Sequence, residues 1–91
     1  MIQIVVIQDF MRRLNIFSSK MVYVYIRHML YGSQKIKYAL RPLWDGERIG
    51  IIIDNEEKYI TLDELREVYI ENDEYHIKSD VMEINIIPIT A

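Results

Sequence analysis

The sequence predicts an α+β fold, with an N-terminal helix packed on a small antiparallel β-meander of four to six short strands, a partly open barrel being its curled variant. Three observations carry this reading. Apolar residues recur at helical spacing near the N-terminus, at Ile4, Ile7, Phe10 or Met11, and Leu14. Beyond them, segments rich in isoleucine, valine and tyrosine alternate with polar residues, the period of a half-buried strand. Turn-forming residues near positions 32, 45, 55, 72 and 79 punctuate those segments at the spacing of a meander. The 91 residues predict a single domain, 1–91. Only three glycines and two prolines argue against disorder and long linkers.

Along the chain, the first periodic segment predicts a helix over roughly 3–14, although IQIVVI is also good strand material. Arg12 and Arg13 fall in its last turn, where the helix dipole favours positive charge. Met21–Gly46 is the stretch around which the chain is organised. A helix over 20–31 would fit the spacing of Val22, Tyr25, Ile26 and Met29, with Gly32 ending it. The β-branched and aromatic run VYVYI suits a pleated sheet better, and a strand is the favoured reading.

Gly32-Ser33 is a turn signal, and residues 35–40 alternate strictly. With Gly32-Ser33-Gln34 as the loop, Tyr31 pairs with Lys35, Met29 with Lys37, Arg27 with Ala39 and Tyr25 with Arg41. One face of this hairpin then holds Tyr23, Tyr25, Arg27, Met29, Tyr31, Lys35, Lys37 and Arg41. The other holds Val22, Val24, Ile26, His28, Leu30, Ile36, Tyr38 and Leu40. A slip by one residue would mix the two sets.

Asp45-Gly46 is the strongest hairpin signal in the chain, and Pro42 before it predicts an edge strand. Ile49, Ile51 and Ile53 then point one way. Asp54-Asn55-Glu56-Glu57 predicts a turn, followed by a short strand to Leu62. Thr61-Leu62-Asp63-Glu64 fits a capping box opening a single helical turn over 62–67, with continuous strand as the alternative. Asn72-Asp73 predicts another turn. Residues 75–78 and 81–89 read as strands, the last ended or marked as an edge by Pro88.

The net charge of −3 hides a strong asymmetry. Residues 1–44 hold seven bases against one acid, and residues 45–91 hold four bases against thirteen acids. Such asymmetry points to a charged partner, or to neutralisation across the fold or a dimer. Two candidate surfaces follow. Asp54, Glu56, Glu57, Asp63, Glu64, Glu67, Glu71, Asp73 and Glu74 form an acidic surface suited to a protein partner with a basic surface, as an inhibitor would use. Alternatively, Tyr23, Tyr25, Arg27, Tyr31, Lys35, Lys37 and Arg41 supply rings that stack on bases beside charges that neutralise phosphates, a single-stranded nucleic-acid platform.

Enzyme chemistry finds little support in the residues. There is no cysteine, hence no disulfide, thiolate nucleophile or cysteine-ligated zinc. His28 and His76 lack metal-ligand spacing, the serines lack a nucleophile-elbow context, and no phosphate-cradling glycine motif is present. Asp45 with Glu56-Glu57-Lys58 imitates a magnesium-holding arrangement, but both parts fall in predicted turns. The expectation is a non-enzymatic regulatory protein without cofactor or metal, acting by protein–protein contact. Isoleucine-rich strand edges predict a homodimer as their cover. No basic leader precedes Asp9 and no apolar run reaches membrane-helix length, so a cytoplasmic location without membrane contact is expected.

Overall fold

The computed structural model describes residues 2–89. Helix α1 spans Ile4–Leu14, and a short 3-10 turn, Asn15–Phe17, follows it. Eight strands come next: β1 Met21–His28, β2 Gly32–Ala39, β3 Pro42–Trp44, β4 Arg48–Ile53, β5 Glu56–Thr61, β6 Leu65–Glu71, β7 Glu74–Ser79 and β8 Met82–Pro88. They form a five-stranded sheet in the order β2-β1-β8-β7-β6 and a three-stranded sheet in the order β3-β4-β5, all paired antiparallel. The fold is therefore α+β as expected, but with eight strands rather than four to six, in two sheets not closed into a barrel. It also departs from a plain meander, because the last strand returns to lie beside the first.

The helix buries Ile7, Phe10, Met11 and Leu14, while Ile4 in its first turn remains 42% exposed. Phe10 and Phe17 both set ring edges against Tyr75 of β7, at centroid distances of 5.6 and 5.9 Å. Such pairs add roughly 0.5–1.5 kcal/mol beyond area burial. Val22, Val24 and Ile26 of β1, Ile77 of β7, and Ile84 and Ile86 of β8 fill the core from the large sheet. Ile49, Ile51, Ile53 and Ile60 fill it from the small one, as the alternation in β4 predicts. Tyr38 of β2 ties the sheets together by donating its hydroxyl to Asp54 Oδ1 at 2.7 Å. That bond holds the Tyr38 hydroxyl above the usual phenol range.

Residues 20–31 form a strand and turn, not a helix, but the β1–β2 hairpin register differs from the expected one. Tyr25 faces Lys35 rather than Arg41, and Tyr23 faces Lys37. The chain reverses at Met29-Leu30-Tyr31, and Gly32, at φ +83°, already pairs with His28. The difference is an even number of residues, so the division into two faces survives the shift. Leu40, freed from the hairpin, is 2% exposed; its N–H donates to the Lys20 carbonyl and its carbonyl accepts from Ser19 N–H.

Elsewhere the turns are tighter than expected. Asp54-Asn55, with φ of +50° and +63°, forms a two-residue hairpin loop of the kind that favours Asn and Asp. Glu56 and Glu57 therefore lie in β5, not in a turn. Asn72-Asp73 repeats the same left-handed pair at φ +53° and +63°. Thr61 Oγ1 donates to Glu64 Oε1 at 2.8 Å, a side-chain bond in place of the reciprocal side-chain-to-backbone bonds of a capping box. The helical turn extends only to Leu62–Glu64, and strand resumes at Leu65. Pro42 lies in the small sheet's edge strand, where its missing N–H leaves no ladder position empty.

The Asp45-Gly46 turn works through its carboxylate. Asp45 Oδ1 accepts from the Glu47 and Arg48 N–H groups at 3.0 and 2.8 Å, and Oδ2 accepts from Arg48 Nε at 2.7 Å. The Glu47 N–H foremost, then the Arg48 guanidinium and N–H, hold this carboxyl down at about 2, against an ordinary 3.8. Because the folded value is depressed, the stabilisation is complete above the unfolded value and is lost as pH falls through the folded one. The urea midpoint of Asp45→Ala should therefore lie below that of the natural chain at neutral pH. That gap should close across the window between those two pKa values. A gap of constant size down to the lower value would contradict this account of the turn.

Candidate interaction surface

One face of the five-stranded sheet meets the helix and the small sheet, and the other is open. Alternation places Tyr23, Tyr25 and Arg27 of β1 on the open face, and pairing extends it in transverse rows. The central row runs Lys35, Tyr25, Asn85, His76, Tyr69 across β2, β1, β8, β7 and β6. On one side of it runs Ser33, Arg27, Glu83, Lys78, Glu67. On the other side lie Lys37, Tyr23 and Ile87, with Glu74 and Glu71 facing each other on β7 and β6.

Tyr23 and Tyr25 are 36% and 40% exposed, and the Lys35 ammonium lies 5.0 and 6.0 Å from their ring centroids. On the opposite side, the Tyr69 ring stacks on His76 at 4.4 Å, with the planes 11° apart. The middle of the face is a connected polar network. Asn85 Oδ1 and His76 Nδ1 lie 2.7 Å apart, and Asn85 Nδ2 donates to Glu83 Oε1 at 3.0 Å. Arg27 donates to Glu83 Oε2 at 2.6 Å, and the Lys78 ammonium lies 3.7 Å from Glu83 Oε1. Burial pushes the Glu83 carboxyl up. Bonds from Arg27 and Asn85, with the Lys78 charge, outweigh it and hold Glu83 below the usual carboxylate range.

Of the basic and aromatic candidates, the structure brings Tyr23, Tyr25, Arg27, Lys35 and Lys37 together. It does not bring in the other two. Tyr31 sits in the hairpin turn, 84% exposed, its ring 4.5 Å from that of His28 with the planes tilted by 34°, and Arg41 lies in the link between β2 and β3. Met29, placed by the expected register on the same face, is likewise in the turn and 71% exposed. His28 itself is half-buried at the strand end, its Nδ1 accepting from Leu30 N–H at 3.1 Å.

The acidic candidates are spread over both sheets. Asp54, Glu56 and Glu57 belong to the β4–β5 hairpin, and Asp63 and Glu64 to the turn before β6. Glu67, Glu71, Asp73 and Glu74 belong to the β6–β7 hairpin. Several are engaged within the chain: Asp54 by Tyr38, Glu56 by Lys58 at 3.0 Å, and Glu57 by Arg48. Arg48 joins Asp45 as well as Glu57, so two of the carboxylates that imitate a magnesium site gather round a guanidinium, and the third, Glu56, pairs with Lys58. Among the described residues, no cluster of three or more His, Asp or Glu side chains is arranged to hold a metal ion. No helix in that range is long and apolar enough to cross a membrane.

Sequence reasoning did not connect Tyr69, His76, Lys78, Glu83, Asn85 and Ile87 to this face. Their alternation was legible, but that β8 lies between β1 and β7 was not. No family model, curated protein or solved structure matches this chain.

Proposed function

We propose that this chain is a small non-enzymatic binding protein that acts through protein–protein contact, and that the contact surface is the open face of the five-stranded sheet. The supporting observation is the polarity of that face. Its β2–β1 side presents Lys35, Lys37 and Arg27 without an acid, and its β7–β6 side presents Glu67, Glu71 and Glu74 against Lys78 alone. Half-exposed tyrosines lie between the charges, the amphipathic ring type enriched at interfaces. In this reading Glu67, Glu71 and Glu74 are the part of the acidic surface that docks a basic partner.

The test is affinity capture with a tagged copy, scored both for foreign protein and for untagged copies of the chain itself. Retention should be lost on replacing Tyr23 and Tyr25 by alanine together with Lys35→Glu, and kept on replacing Glu56 and Asp63. A tagged copy that retains neither kind of protein would sink the reading.

A single-stranded nucleic-acid platform is the second reading, favoured by the Lys35 ammonium beside two tyrosine rings. Glu83, Glu67 and Glu71 on the same face oppose it by repelling phosphates. Anisotropy of a labelled single-stranded oligonucleotide at low salt separates the two. The protein-contact reading expects no binding. Binding that disappears in a Lys35→Glu, Lys37→Glu double variant would transfer the face to nucleic acid.

A further inference from the structure

We infer that the partner on the open sheet face is a second copy of this chain, laid face to face about a two-fold axis parallel to the strands. The inference rests on the proposed use of that face and adds the identity and orientation of what covers it.

A two-fold contact sets the same patch against itself, so the patch must be self-complementary. An in-plane axis running along the strands through β8, the middle of five, lays β2 of one copy over β6 of the other and β1 over β7. Lys37 then meets the partner copy's acidic β6 near its Glu71 position, and Tyr23 meets the Glu74 position. In the central row the Lys35 ammonium meets the Tyr69 position and Tyr25 the His76 position, while Ile87 and Asn85 lie near the axis. The same contacts recur on the other side of the axis. The alternative in-plane axis, across the strands, would lay β2 on β2 and β6 on β6, setting lysine against lysine and glutamate against glutamate. Charge therefore selects the first arrangement.

The like-charged meetings are Arg27 with Lys78 of the other copy, beside the axis, and Glu83 with Glu83, on it. The basic β2–β1 side as a whole still lies over the acidic β7–β6 side, and the centre of this row is Glu83. It is already neutralised within each copy by Arg27 at 2.6 Å and Lys78 at 3.7 Å. Five strands at about 4.8 Å and six residues at about 3.3 Å make a patch roughly 24 by 20 Å. That is the small end of specific interfaces, so the association is reversible and salt-sensitive rather than obligate.

Sedimentation over a rising concentration series tests this. The natural chain should pass from monomer to dimer mass, with the transition shifting to higher concentration as salt is added. Lys35→Glu with Lys37→Glu, and separately Glu67→Lys with Glu71→Lys, should each remain monomeric. All four side chains are exposed, so the fold should survive, and far-UV circular dichroism checks it. An equimolar mixture of the two variants should recover the dimer, because each supplies the charge the other has reversed.

A natural chain that stays monomeric, a dimer that persists in both variants, or a mixture that fails to associate would each overturn the inference. Failure here is distinct from failure of the protein-contact reading. A monomer that still captures a foreign protein through the same face overturns only the self-association.

Discussion

Gly50→Ala should cost about 3 kcal/mol, the upper end for overpacking a filled site, or prevent folding outright. A methyl group at Gly50 would lie 2.0 Å from the Lys58 carbonyl oxygen and 2.7 Å from the Tyr59 Cα. Both are backbone atoms of β5, directly across the ladder, so no side chain can swing aside to make room. Relief requires β5 to move away from β4, which breaks the pairing of Arg48–Ile53 with Glu56–Thr61. A domain of this size has roughly 5–14 kcal/mol in total, so the loss is a large share of it. Urea unfolding followed by circular dichroism measures it. A variant within about 0.5 kcal/mol of the natural chain, as an ordinary surface change would be, would contradict this close approach of the two strands.

Ile84→Ala should cost about 2–5 kcal/mol, from lost burial and from the cavity left behind. Ile84 is fully buried in β8, the central strand, between Ile26 of β1 and Ile77 of β7. Strands on both sides hold its backbone, so the site cannot collapse to fill the space. Ile16→Ala is the control: Ile16 is 64% exposed and its loss should move stability by no more than about 0.5 kcal/mol. Equal effects at the two positions would mean that β8 does not run through the core.

Local chemistry was legible because it is written in adjacent residues. The helix, the alternation of β1 and β4, the Asp-Gly turn and the edge position of Pro42 all follow from short-range spacing. The hairpin register was not legible, for a definite reason. Sorting side chains into two faces rejects odd shifts but is blind to even ones, and the apolar Met29-Leu30-Tyr31 gives no turn signal of its own. The reach of the open face was hidden more deeply. Tyr69, His76 and Asn85 join Tyr25 only because β8 returns beside β1, a non-local pairing that no local pattern encodes.

That return also gives spatial form to the charge asymmetry. The basic first half of the chain supplies β1 and β2, and the acidic second half supplies β6 and β7. With β8 between them, a difference along the sequence becomes a difference across one surface.

The most direct test that this surface makes the contact is the tyrosine ring spectrum by nuclear magnetic resonance, followed as the protein associates with rising concentration or added partner. The rings of Tyr23, Tyr25 and Tyr69, on the open face, should shift. Those of Tyr31 in the hairpin turn and Tyr59 on the small sheet should hold still. Shifts confined to Tyr31 or Tyr59, with the three face tyrosines unmoved, would place the contact elsewhere and contradict the account.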